Sequence, residues 1–194
     1  MNPPSSGRLT YVYRIGSDDR IEFVNDAWLR FAVENGNPTL CQGVVGTSLW
    51  SYLSGRQVVQ LSRELLTRVR DSGCEAIIPF RCDSPWVRRF MWMKIVPLGN
   101  GKVEFCTWTE REELYSEPNQ LLDSTVFRDR ERLLRMCAWC KKIYSGHSWL
   151  EIEVAIDRMR LFDHVALPTI THGICERCFQ MIDTDIPPDV FDDR

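Results

Sequence analysis

Histidine is missing from the first 146 residues; the three in the chain are His147, His164 and His172. The N-terminal two thirds therefore offers no axial imidazole for haem, and no Cys-x-x-Cys is followed by His, which excludes covalent c-type haem attachment. Long apolar runs are also lacking. None approaches the ~18 residues that a membrane span needs, and residues 1–8 (MNPPSSGR) hold no apolar stretch of signal-peptide type. No membrane contact is expected, and the expected location is the cytoplasm. The formal net charge of −3 gives no pull toward nucleic acid. No kinase, cyclase, phosphodiesterase or receiver motif is present, and the 16 residues after Cys178 leave no room for one. The chain is not expected to be an enzyme.

What the chain does contain is a soluble core, at 44% hydrophobic and 26% charged residues, and eight cysteines. In a reducing compartment these read as metal ligands, buried thiols or sensors rather than disulfides. Four of them form a pattern. Cys137-Ala138-Trp139-Cys140-Lys141-Lys142 and His172-Gly173-Ile174-Cys175-Glu176-Arg177-Cys178 are two Cys-x-x-Cys turns with 34 residues between the pairs. Zinc takes four thiolates at tetrahedral corners, so Cys137, Cys140, Cys175 and Cys178 are the candidate ligands of a structural site. A redox dithiol has the same local spacing and is the alternative. His172 could hydrogen-bond a sulfur, replace one as ligand, or merely fill the turn before Gly173. Lys141, Lys142 and Arg177 are close enough in sequence to offset thiolate charge.

Taken in order, Tyr11 to Ile15 and Ile21 to Val24 flank a Gly-Ser-Asp-Asp turn and predict a hairpin. Asn25 or Asp26 can cap a helix bearing Trp28, Phe31 and Ala32. Val58, Leu61, Leu65 and Val69 make the apolar stripe of a helix over 57–71. Three strands follow, in the first of which Cys74, Ala76, Ile78, Phe80 and Cys82 share a core face. The second sets Met91, Met93 and Ile95 against Phe90, Trp92 and Val96, and the third carries Cys106 and Trp108. With both sheet faces apolar, two coverings are needed. Phe90, Trp92 and Trp108 are read as an exposed contact surface for a protein partner or a second copy.

This order of elements resembles a PAS domain over residues 9–111. Asp19-Arg20-Ile21-Glu22-Phe23-Val24-Asn25-Asp26-Ala27-Trp28 is similar to the family's first hairpin and helix, and Val45-Gly46-Thr47-Ser48-Leu49-Trp50 to its segment before the long helix. The C-terminal Cys-Ala-Trp-Cys-Lys-Lys and His-Gly-Ile-Cys-x-x-Cys pattern is similar to tails that follow PAS or response-regulator domains in bacterial signalling proteins. The resemblance implies a sensory or interaction module with helices on one face of a five-stranded antiparallel sheet. A flavin or a small-molecule ligand is open. The photoreceptor branch's reactive-cysteine segment is absent, and Cys41 sits in a different setting, Thr39-Leu40-Cys41-Gln42.

The predicted class is α+β: a PAS-like sheet domain plus a small helical zinc-binding C-terminal module. Residues 1–8 form a flexible lead and 9–111 the sensory domain. A linker and connector helix occupy 112–136, the helix over 121–136 carrying the charged run Arg128 to Arg132 on a solvated face. The zinc module spans 137–180, with a Ser148-Trp149-Leu150-Glu151 capping box opening its helix, and 181–194 is an acidic tail. The expected function is non-enzymatic signal transduction through protein–protein contacts. The alternatives are a thiol-based redox switch that releases zinc and, less favoured, a zinc-dependent nucleic-acid reader.

Overall fold

The computed structural model describes residues 9–183, so the lead over 1–8 and residues 184–194 of the acidic tail lie outside the described residues. The first hairpin is β1 (Thr10–Ile15) with β2 (Ile21–Val24), and Asn25 links it to helix α1 (Asp26–Glu34). The Asn25 carboxamide accepts from Trp28 N at 2.9 Å and Val12 N at 3.1 Å, and donates to Thr10 O at 2.9 Å. One side chain thus caps α1 and pins it to β1.

Helix α2 (Arg56–Ser72) buries Val58, Leu61, Leu65, Leu66 and Val69, the face the apolar spacing predicts. It ends at Gly73, where φ of +67° suits a residue without Cβ. Strands β3 (Ala76–Arg81), β4 (Val87–Gly99) and β5 (Lys102–Leu114) complete a five-stranded antiparallel sheet in the order β2-β1-β5-β4-β3. The buried face of α2 packs on Ile15, Ile78, Ile95, Val103 and Phe105 from the sheet. The α+β class and the PAS-like arrangement, helices on one face of five antiparallel strands, are as expected.

The connector differs from expectation. Residues 121–136 hold no long helix: Gln120–Leu122 is a single tight turn, and β6 (Arg128–Cys137) is a strand. Toward its end burial alternates, with Leu134 and Met136 buried and Leu133 66% exposed. A period of two beats the local helical pattern here because β6 is central in a second sheet, where two neighbours take its backbone hydrogen bonds. Those neighbours are β7 (Ile143–Tyr144), antiparallel, and β9 (Leu167–Gly173), parallel. With β8 (Trp149–Leu150) the order is β8-β7-β6-β9. The C-terminal module is therefore a four-stranded sheet carrying two helices, α3 (Ile152–Arg158) and α4 (Glu176–Asp183). Its core holds Leu121, Leu134, Met136, Ile143, Ile152, Ala155, Leu161 and Leu167.

The capping box does not form. Trp149 and Leu150 are strand residues, Ser148 bonds with Ser145, and the Glu151 carboxylate pairs with Arg81 and Lys142. Long-range ion pairs have taken the carboxylate that the cap needs. Cys74 precedes β3 and is exposed, and Cys82 follows it half-buried, so neither is a core residue of that strand.

The expected exposed aromatic surface is also corrected. Phe90 and Trp108 are only 4% and 7% exposed, and Trp92 is half-buried. Register places Trp92 directly opposite Trp108 across β4–β5, on the same face of the sheet. Phe90 stands opposite Arg81, and the guanidiniums of Arg111 and Arg81 lie 4.2 and 5.7 Å from its ring centroid. The C-terminal segment, through Glu151 and Glu153, wraps this corner by pairing with Arg81 and Arg88.

Candidate metal centre

Cys137 is the last residue of β6, and the parallel ladder with β9 ends at the pair Cys137–Gly173. Parallel pairing delivers both Cys-x-x-Cys turns to the same end of the sheet. After Cys137 the chain closes a tight knuckle: Lys141 N donates to Cys137 O at 3.0 Å, and Cys137 N to Lys142 O at 2.8 Å. Lys141 takes a left-handed φ of +65° to allow it. The second pair is set by α4, with Cys175 just before the helix and Cys178 inside its first turn.

The four sulfurs lie within 4.8 Å of one another, and Cys137, Cys175 and Cys178 are buried. Cys140 Sγ and Cys175 Sγ are 3.7 Å apart. A tetrahedral site with metal–sulfur bonds of about 2.3 Å has edges of about 3.8 Å, whereas a disulfide needs about 2.05 Å. Backbone amides support the sulfurs: Cys175 N points at Cys137 Sγ (3.4 Å) and Cys178 N at Cys175 Sγ (3.5 Å). These donors offset thiolate charge from fixed positions. The nearby ammonium groups are used elsewhere. Lys141 Nζ donates to Ala138 O at 3.0 Å, and Lys142 pairs with Glu151 at 3.2 Å.

Protonation follows from crowding. Hydrogen bonds from Cys140, Cys175 and Cys178 hold the Cys137 thiol far below the ordinary thiol range. The same bonds to Cys137 push Cys140 and Cys178 upward. Without a cation such a cluster keeps protons on some of its sulfurs. A divalent cation displaces those protons, so this donor set fits one. Cys137, Cys140, Cys175 and Cys178 could thus hold a metal ion such as zinc.

His172 stands outside the sulfur cluster. Its Nδ1 shares a hydrogen bond of 2.9 Å with Ser54 Oγ, and burial holds its imidazole below the ordinary value. Beside it Gly55, at φ +91°, approaches so closely that an added Cβ would lie 2.5 Å from His172 O. The loop before α2 is therefore fitted against the strand that leads to the second cysteine pair.

Two groups that sequence reasoning passed over, Arg81 and Asp83, join the cluster to the first sheet. Arg81 is 5% exposed and pairs with Asp83, whose side chain is wholly buried, and with Glu151 at 2.8 Å. Arg81 N also donates to Trp139 O at 2.7 Å, which attaches the cysteine knuckle to the free edge of β3. The signal was a lone arginine on the strand face that otherwise carries Ile77 and Pro79. Cys137, Cys175 and Cys178 consequently belong to the same buried cluster as α2 and the inner face of the first sheet. Among the described residues no helix is long and apolar enough to cross a membrane.

No protein-family model matches this chain, and no curated protein matches it. Among solved structures it is similar to the PAS domain of Bordetella pertussis BvgS, at 16% identity over 53% of this chain and 74% of that one, with a TM-score of 0.36.

Proposed function

We propose that this chain is a non-enzymatic signal-transduction protein of the cytoplasm, a PAS-like sensory domain coupled to a zinc-stapled C-terminal segment that acts through protein–protein contacts. One observation carries the reading: the cysteine cluster shares its buried core with α2 and the five-stranded sheet. A change in the sheet domain is therefore felt at the cluster, and the reverse holds too. Zinc held by Cys137, Cys140, Cys175 and Cys178 supplies a cross-link between the end of β6 and α4. Four sulfurs complete its tetrahedron, so no position is left for a substrate, in line with a structural role. Leu114, Phe127 and Leu133, 81%, 80% and 66% exposed, supply apolar contact area where the chain passes between the sheets. Arg81, Arg88 and Arg89 are already paired with carboxylates, which weighs against a nucleic-acid surface.

The test is elemental analysis of the purified chain, followed by quantitative affinity capture with wild type and Cys178→Ser. One zinc per chain and a partner, protein or second copy, held by wild type and lost by the variant are expected. A metal-free wild type that retains the same partner sinks the proposal. One observation favours a second reading, a redox switch: Cys140 alone of the four is half-exposed, 3.7 Å from Cys175. Peroxide would take two electrons from that pair of thiolates, forming a disulfide and water while zinc leaves. Reversible zinc release under mild peroxide, absent in Cys140→Ser, distinguishes it from a permanent staple.

A further inference from the structure

Helix α2 begins without the side chain that usually closes a helix start. Its N-cap is Gly55, at φ +91°, which has no oxygen to offer the first-turn amides. Ser54, one residue earlier, carries a hydroxyl, but that hydroxyl shares a hydrogen bond of 2.9 Å with His172 Nδ1 on β9. Gln57 Oε1, in the first turn, accepts from Arg135 on β6 at 2.6 Å. Gly55 itself lies against the His172 carbonyl with no space for a Cβ. The start of α2 is thus held by the second sheet rather than closed by its own sequence.

These contacts fall at one place on that sheet. Arg135 and His172 belong to the last rungs of the β6–β9 ladder, where Met136 stands opposite His172 and Cys137 opposite Gly173. Gly173 leaves room for the Arg135 guanidinium, which an added Cβ would meet. The Tyr144 and Trp149 ring centroids lie 5.8 and 5.4 Å from that guanidinium. Cys137 follows Arg135 by two residues and Cys175 follows His172 by three, so the groups that hold α2 and the sulfur donors share strands and rungs. The far end of α2 is anchored in the first sheet instead. There Arg70 donates to Gly101 O at 2.9 Å and Gly16 O at 3.1 Å, and pairs with Asp19 at 2.7 Å. We infer that the start of α2, Ser54 to Gln57, is a latch that sets how tightly the four cysteines hold their metal and that frays when the metal leaves. The inference rests on the metal site proposed above and adds the segment through which the two sheets read each other. Without the metal cross-link His172 and Arg135 lose their fixed places, and an uncapped helix start opens locally. Linkage makes the effect reciprocal: whatever loosens the latch weakens metal binding by the same factor.

Zinc affinity of the full-length chain, measured by competition with a chromophoric chelator, tests this in wild type, in the double variant Ser54→Ala/Gln57→Ala and in Gln60→Ala. All three positions are exposed and none is a sulfur donor. Gln60 bonds Glu64 within the helix at 2.9 Å and controls for general loosening of α2. The double variant is expected to bind one zinc about tenfold more weakly than wild type, with Gln60→Ala unchanged. In wild type, chelation should speed hydrogen exchange of the Val59 amide, which donates to Gly55 O at 3.1 Å, and leave the last turn of α2 protected. A folded double variant with wild-type affinity, an equal loss in Gln60→Ala, or a Val59 amide that exchanges alike with and without zinc each overturns the latch and leaves the metal site standing. A wild type that takes up no zinc removes both. Should the double variant not fold, the wild-type exchange decides alone.

Discussion

The two sheets reach stability by different routes. The first is wholly antiparallel, with 13-residue strands β4 and β5 joined by a tight turn, and its inner face is covered by the apolar stripe of α2. Its β4–β5 contacts are local in sequence, and burial alone can hold it. The second sheet contains two strands of only two residues and depends on a parallel pairing between β6 and β9, some forty residues apart. Parallel closure needs a long connection and gives less per residue. Its apolar core is small, and the cysteine cluster lies where its two longest strands end. The contrast is that the cysteine cluster, which could hold a metal ion, lies where a sheet is short and non-local rather than where packing alone suffices.

The largest expected effect comes from removing a ligand. Cys178→Ser, or chelation of the wild type, should abolish metal binding and unfold β6 to β9 while the β4–β5 amides stay protected. Structural zinc supplies an apparent binding free energy of about 10 kcal/mol or more. Hydrogen exchange read alongside elemental analysis checks this, and equal loss of protection in both sheets would break the contrast. Next is Arg81→Met, which strands the buried Asp83 carboxylate at the junction. Removing one member of such a pair costs about 3–5 kcal/mol, measured as a lower denaturant midpoint. If the loss appears only in the second sheet, the junction does not couple them.

A smaller effect sharpens the same contrast. Ile152 and Ile95 are 0% and 1% exposed, one in each core. Ile→Val at either should cost about 0.5–1.5 kcal/mol. A near-zero cost at Ile152 alone, by thermal or denaturant unfolding, would mark the second core as loosely packed. The smallest effect belongs to His172→Ala, which gives up the bond to Ser54, about 1 kcal/mol or less, and should leave the metal stoichiometry unchanged. A drop in bound metal would make His172 a ligand after all.

Legibility in the sequence differs between these regions for one reason, the range of the interactions involved. Val58, Leu61, Leu65 and Val69 declare α2 because their spacing is local, and the strand alternation around Ile78 and Ile95 is local too. The four cysteines were legible as candidate ligands because Cys-x-x-Cys builds half a site within one turn. The 121–136 stretch reads as a helix because its acidic and basic residues satisfy a helical pattern, whereas its actual partner begins at Leu167. Spacing alone puts Glu151 in a cap three residues from Ser148, yet its carboxylate crosses to Arg81 at 2.8 Å. Strand alternation alone leaves Phe90 at the surface, because nothing in its own strand foretells the segment that covers it.

By itself the sequence determined the class of the first sheet, the long amphipathic helix on its face, and the four candidate sulfur donors, all properties written in spacings of two to four residues. Only the tertiary structure decided that β6 is a strand, that β9 runs parallel to it and carries the second cysteine pair to the first, and that the start of α2 meets His172 and Arg135. Local patterns repeat within a turn or a pleat and can be read along the chain. Contacts across forty or seventy residues exist only after burial and pairing have chosen among competing local preferences.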